Sequence, residues 1–284
     1  MKTLLFNGCS FMAGDAIAWE QYCISKGRPS IDWNVFWSQS HDRPEVNEFV
    51  KEYRFDYRRL HNLPMAVATH LSSSRIDISE DGNSNDSIAI STIAFLLSKT
   101  WEERKQFHVC IGWSSNSRFL KYIEQINSFG NLHVNHVGGG HGQVELGDIQ
   151  DYIDIVFSQS TDEDIWLNYV KNIMLLENFL KSNGITYTFY RSLGSDHDAR
   201  DLKTFPPFDF ELPNAHITNH SNWYSFHMNG DLTAYPYEQS SWTSTIIHDE
   251  SQWISKKNRH PNLKAVAIFS NSLADFIRKQ NVLN

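Results

Sequence analysis

The stretch "NGCSFMAGD", residues 7–15, comes directly after a short apolar run at the start of the chain and sets one serine, Ser10, between Cys9 and Phe11. Gly8 precedes this serine and Gly14 follows it closely. Two readings compete. In one, the stretch is a plain strand-to-loop turn, where glycine supplies backbone angles other residues avoid and serine satisfies a local backbone donor. In the other, a strand ends abruptly so that its last loop presents a nucleophile at the carboxyl edge of a sheet. The order of elements downstream decides between them.

Residues 3–7 read as a buried strand, and "LPMAVATHLSS", 63–73, carries Leu63, Val67 and Leu71 at helical spacing. "RIDIS", 75–79, alternates with a period of two and predicts a second strand. "DSIAISTIAFLLSK", 86–99, reads as a helix with Ile88, Ser91, Thr92 and Phe95 on one face and a cap at Asn85 or Asp86. "QFHVCIGW", 106–113, is almost continuously apolar, as a strand covered on both faces should be. Residues 114–160 lose any clear period and read as loop. The segment 162–184 then predicts a long helix with Ile165, Val170, Ile173, Leu176 and Leu180 inward, stopped by Gly184. "ITYTFYRSL", 185–193, is a fourth strand, 194–244 is irregular, and 262–280 closes the chain as a helix.

Strands alternating with helices imply an α/β fold, three layers deep, with a mostly parallel central sheet and helices on both faces. With no repeat and no Pro- or Ser-rich linker, residues 1–284 read as a single domain with insertions at about 19–60, 114–160 and 195–245. Loops at the carboxyl ends of parallel strands converge on one edge and carry the chemistry in such folds. "GCSFMAGD", "EDGNSND", "GWSSNSR" and "NRHPN" should therefore lie on the same side.

Composition narrows the partners. Acidic residues outnumber basic ones 33 to 25, and no basic run offsets this, which argues against a nucleic-acid clamp. No stretch approaches the roughly 20 apolar residues a membrane span needs, and the N-terminus lacks the pattern of a signal peptide. The expectation is a soluble cytoplasmic chain, or one carried in a particle. Cys9, Cys23 and Cys110 have no metal-ligand spacing and read as reduced small hydrophobes. The 9 Trp, 11 Tyr and 18 Phe, many in polar stretches such as "IDWNVFW", are read first as satellite cores under long loops and second as carbohydrate or partner surfaces.

A serine hydroxyl near its free pKa is a poor nucleophile, so hydrolysis needs an imidazole within reach to take the proton and donors to hold the oxyanion that forms. Ser10 and His260 supply the first pair, and the Ser10 and Gly82 N–H groups with a side-chain amide supply the donors. This ordered set, through "NGCSFMAGD", "EDGNSND", "VCIGWSSNSR" and "NRHPNLKAVAIFSNSL", resembles the SGNH or GDSL hydrolase family over the whole chain. The variant with "GCSF", "GNSN" and "IGWSS" followed closely by Arg118 is similar to the SGNH-like proteins of bacteriophages. The resemblance implies the flavodoxin-like SGNH hydrolase fold, with Ser10 as nucleophile, Gly82 as an oxyanion donor and His260 as general base.

Two positions depart from the family pattern. Where the third block usually has Asn, this chain has Ser114, a shorter and weaker donor, with Asn85 or Asn116 as substitutes. Where the family has Asp three residues before the histidine, this chain has Lys257. Loss of an orienting carboxylate costs up to about 10⁴-fold in kcat when the wrong tautomer results. Asp249, Glu250 or Asp231 from another loop, or a backbone carbonyl, could take that role, and Arg118 either contacts substrate or forms a salt bridge under its loop.

Each residue also has a plainer reading. Ser10 and Gly82 are ordinary turn residues, and His260 simply precedes a helix with Pro261 at its first position. His133, His136 and His141 lie close together but beside a glycine run that opposes rigid metal placement, and the same glycines lack the Lys-Ser/Thr of a phosphate loop. His197, between two aspartates, reads as a solvated loop. No cofactor and no metal are expected, and the oligomeric state is not readable. Two function classes follow: a serine hydrolase acting on a small ester, thioester or acetylated carbohydrate, or a noncatalytic binding or structural protein on the same fold. A metal-dependent phosphate-ester hydrolase built on the His-rich loop is a third, which chelator-insensitive activity would remove.

Overall fold

The computed structural model describes residues 2–28, 44–114, 118–123, 128–133, 136–138, 162–192, 222–224, 250–254 and 260–283. Its centre is a four-stranded, all-parallel sheet of β1 (Thr3–Gly8), β2 (Arg75–Asp77), β3 (Phe107–Trp113) and β7 (Thr186–Arg191), in the order β2-β1-β3-β7. The chain leaves β1 for β2 on one side and returns past β1 to β3 on the other. A crevice therefore opens at the carboxyl ends of β1 and β3, the place where ligands bind in open α/β sheets. Residues 222–224 extend the sheet beyond β7 through a parallel bridge between Phe189 and Trp223.

Side-chain alternation in the strands sends the core two ways. Leu4, Phe6, Cys110 and Tyr190 face α5 (Leu63–Leu71) and α9 (Leu263–Lys279), whose Val67, Leu71, Val266, Phe269 and Leu273 are buried there. Leu5, Val109, Ile111, Trp113 and Phe189 face α6 (Asn85–Leu97) and α8 (Asp162–Ser182). In α8 the expected Val170, Ile173, Leu176 and Leu180 are buried, and Gly184 ends the helix at a φ of 63°. Helices thus cover both faces of the sheet. Among the described residues no helix is long and apolar enough to cross a membrane.

The structure corrects three readings and adds detail to a fourth. Part of 114–160 is not loop: β4 (Phe119–Ile123), β5 (Ser128–His133) and β6 (His136–Gly138) form a separate antiparallel sheet. The N-cap of α6 is neither Asn85 nor Asp86 but Ser84, whose hydroxyl accepts from the Ser87 N–H. Pro261 is not the first residue of the last helix, because Asn262 caps α9 and accepts from the N–H groups of Lys264 and Ala265, leaving Pro261 in a bridge to Trp253. The described part of 19–60 is helical, as α2 (Asp15–Ser25), α3 (Pro44–Glu48), a π-helical turn (Phe49–Tyr53) and α4 (Arg54–His61). Its aromatics Trp19, Tyr22 and Phe49 stack on one another in a buried satellite core, with Tyr53 and Tyr57 at its edge. Trp19, Tyr22 and Phe49 are thereby withdrawn from any open pocket, whereas "IDWNVFW" lies outside the described residues.

Candidate functional site

Ser10 is the first residue of α1 (Ser10–Ala13), one residue after β1 ends; its side chain lies outside the described part of the structure. What seats that turn is a pair of glycines. Gly8 and Gly112 are register partners at the ends of β1 and β3, and Met12 of α1 lies across both. A Cβ on Gly8 would sit 2.3 Å from Met12 Cγ and 2.9 Å from the Gly112 carbonyl oxygen. The missing side chains let α1 settle directly on the strand ends, and Cys9 O closes the turn by accepting from the Met12 and Ala13 N–H groups. Asn7 fixes the same end from below. Its buried amide donates to Ile88 O, Ser91 Oγ and Thr92 Oγ1 on α6 and its Oδ1 accepts from the Gly8 N–H.

The second loop follows β2. Gly82 has a φ of 74° in the turn that Asn83 N closes on Glu80 O, a conformation that favours glycine. Asn83 is buried and donates its amide to Gly8 O at 3.1 Å, which ties this loop to the residue two before Ser10. Asn85 makes a reciprocal pair with the third loop: its Nδ2 donates to Ser114 O at 3.2 Å and its Oδ1 accepts from the Ser114 N–H at 2.8 Å. This amide, expected among the oxyanion donors, is here a clamp between α6 and the end of β3. Ser114 Oγ is fully buried and has no hydrogen-bond partner among the described residues. Arg118 bridges the loops again, with Nη1 3.5 Å from Asn83 O.

His260 comes from the approach to α9, where its carbonyl accepts from the Ile254 N–H. Burial pushes its imidazole down to about 4, helped by the positive charge of Arg118 and opposed by the negative charge of Asp15. The ring is therefore neutral at physiological pH, the form a general base requires. Lys257, Asp249, Asp231, Asn116, His141 and His197 lie outside the described residues, as do the side chains of His133 and His136. Glu250 is exposed and opens a 3-10 turn.

Four charged residues that the sequence reading did not single out complete the site. Asp15, fully buried at the start of α2, takes a bidentate bond from Arg54, Nε to Oδ1 at 2.7 Å and Nη2 to Oδ2 at 3.1 Å. Arg58 lies 3.6 Å from the same carboxylate and donates to the carbonyls of Ala13 and Ser79, so it joins the first loop to the second. Asp81, next to Gly82, has its carboxyl raised to about 6 by burial and by the charge of Asp15, against the pull of Arg54, Arg118 and Arg58. Asp15 was visible in the sequence, five residues after Ser10. Nothing in the sequence marked Arg54 and Arg58 as its partners, since they lie about forty residues away.

The class defined by fold and site is an α/β protein with a parallel sheet, whose first three strand-end loops are hydrogen-bonded together at the carboxyl edge, with a neutral, half-buried histidine in the same charged cluster. Compared with known proteins, the chain matches no family model, and neither a curated protein nor a solved structure is significantly similar to it. Among the described residues no group of three or more His, Cys, Asp or Glu side chains stands close enough to hold a metal ion.

Proposed function

We propose that this chain is a serine hydrolase of SGNH type that cleaves a small ester or an acetylated carbohydrate. Ser10 attacks the ester carbonyl, His260 accepts the Ser10 proton and returns it to the leaving alcohol, and water then releases the acyl group through the same histidine. The Ser10 and Gly82 N–H groups serve as oxyanion donors, with the Asn83 and Asn85 amides holding their loops at the right depth. The observation that carries the reading is the tying of the loops after β1, β2 and β3 to one another through Gly8, Asn83, Asn85 and Ser114, in the block order the SGNH resemblance requires. The negative charge of Asp15 acts on His260 in the direction that favours imidazolium, which is the electrostatic part of what the absent family aspartate would do.

The test is hydrolysis of a chromogenic acetyl ester by the wild type, Ser10→Ala and His260→Ala proteins. The reading expects turnover in the wild type and a loss of about 10³-fold or more in each variant. Turnover that survives Ser10→Ala would refute it. A noncatalytic binding protein on the same fold is the second reading, favoured by one feature: a guanidinium beside His260 opposes the imidazolium that general-base catalysis must form.

A further inference from the structure

Arg118 is the guanidinium of the site without a close ion pair among the described residues, although its charge acts on the Asp81 carboxyl and lowers it against the effect of burial. Of the site's three guanidinium groups, Arg54 is bidentate on Asp15, and Arg58 is shared between Asp15, Glu80 and two main-chain carbonyls. Arg118 makes no ion pair among the described residues. Its one hydrogen bond among the described residues is the long 3.5 Å contact from Nη1 to Asn83 O. Its Nε is fully buried and without a partner among the described residues. A buried donor on a charged group left without an acceptor is costly, and an acceptor supplied by a ligand is one way to relieve that cost. Nε with Nη2 is the planar edge of a guanidinium that binds a carboxylate side-on, and Arg54 already holds Asp15 in this way.

Position turns this unpaired donor into a specificity element. Arg118 touches the main chain of Asn83, whose side chain holds Gly8 O, so its guanidinium is tied to the loop that is itself bonded to the end of β1, two residues before Ser10. We propose that Arg118 is a substrate-binding residue and that the site takes a substrate bearing a carboxylate close to the scissile ester, held by the Nε–Nη2 edge of Arg118. The ester part of this assignment rests on the hydrolase reading; the carboxylate part does not. A bound carboxylate also cancels part of the positive charge that depresses His260, so occupancy of the fork makes the imidazole a stronger base at the moment it is needed.

The test separates the two parts. Rates for 4-nitrophenyl acetate and for mono-4-nitrophenyl succinate, which adds a carboxylate to the acyl group, are compared in the wild type, Arg118→Gln and Arg118→Lys, with thermal melts confirming that each is folded. The expected result is a wild-type preference for the succinate ester in kcat/KM that shrinks about tenfold or more in Arg118→Gln, the worth of a charge-assisted bond. Arg118→Lys, which keeps the charge but loses the fork, falls between them. The same ester ratio in all three proteins overturns the proposal. Calorimetry on Ser10→Ala protein with succinate, and in a parallel arm with inorganic phosphate, requires no catalysis. Succinate binding that Arg118→Gln abolishes supports the carboxylate assignment even if neither ester is cleaved, an outcome that would count against the hydrolase reading alone. Absent succinate binding, or tighter binding of phosphate, overturns the assignment. A rise in the His260 titration midpoint on adding succinate, followed by its ring proton resonances, is the further sign that a merely structural Arg118 would not give.

Discussion

At the scale of single residues, the site works by the company each charge keeps. His260 and Asp81 are pushed in opposite directions by burial, the imidazole down to about 4 and the carboxyl up to about 6. Both shifts disfavour the charged form, as desolvation requires. The sign gives a pH prediction. A general base acts when unprotonated, so kcat/KM for ester hydrolysis should rise with pH through an inflection near 4 rather than near the ordinary histidine value of 6.5. Initial rates at subsaturating ester across the acid range measure this, with intrinsic fluorescence marking where the chain unfolds. An inflection near 6.5 would mean that His260 is not held by burial and Arg118 as described. The sequence singled out Ser10, Gly82, Ser114, Arg118 and His260 as candidates because motif order draws attention to residue types. It did not single out the Asp15, Arg54 and Arg58 cluster, because an ion pair between residues fifteen and fifty-four leaves no local pattern.

At the scale of elements, the long periodic segments were legible and the irregular ones were not. The strand Phe107–Trp113 is buried at every position, and a continuous apolar run states that directly. The helix Asp162–Ser182 carries its buried residues at helical spacing. By contrast, Phe119–Ile123 and Ser128–His133 pair with each other across only a few residues and contain Lys, Asn and Gly, which strands ordinarily avoid. Their pairing, not their composition, makes them strands. The seating of α1 on β1 and β3 belongs to this scale as well. Gly8→Ala should destabilise the fold by about 1–3 kcal/mol, because the new methyl meets a main-chain carbonyl as well as Met12. Asn85→Ala should cost about 1–3 kcal/mol by leaving the buried Ser114 N–H without its acceptor. Urea unfolding of both variants checks these values, and a change within experimental error at Asn85 would show that the clamp does not hold the third loop.

At the scale of the whole molecule, the strand order places the chain's first loop at the crevice between β1 and β3, and the hydrogen bonds among Gly8, Asn83, Asn85 and Ser114 draw the next two loops around it. The two faces of the sheet are filled by separate cores, so the edge that carries these loops is free to be polar. Alternation of strands and helices made this architecture readable before the structure, since a parallel sheet forces its connections onto the faces. The central claim is that the polar edge activates Ser10. The most direct measurement is reaction of the folded protein with a fluorophosphonate probe, with the modified residue located by peptide mass spectrometry in the wild type and in His260→Ala. The account predicts a single adduct on Ser10 that His260→Ala abolishes; an unmodified Ser10 in folded wild-type protein across the pH range where His260 is neutral would contradict it.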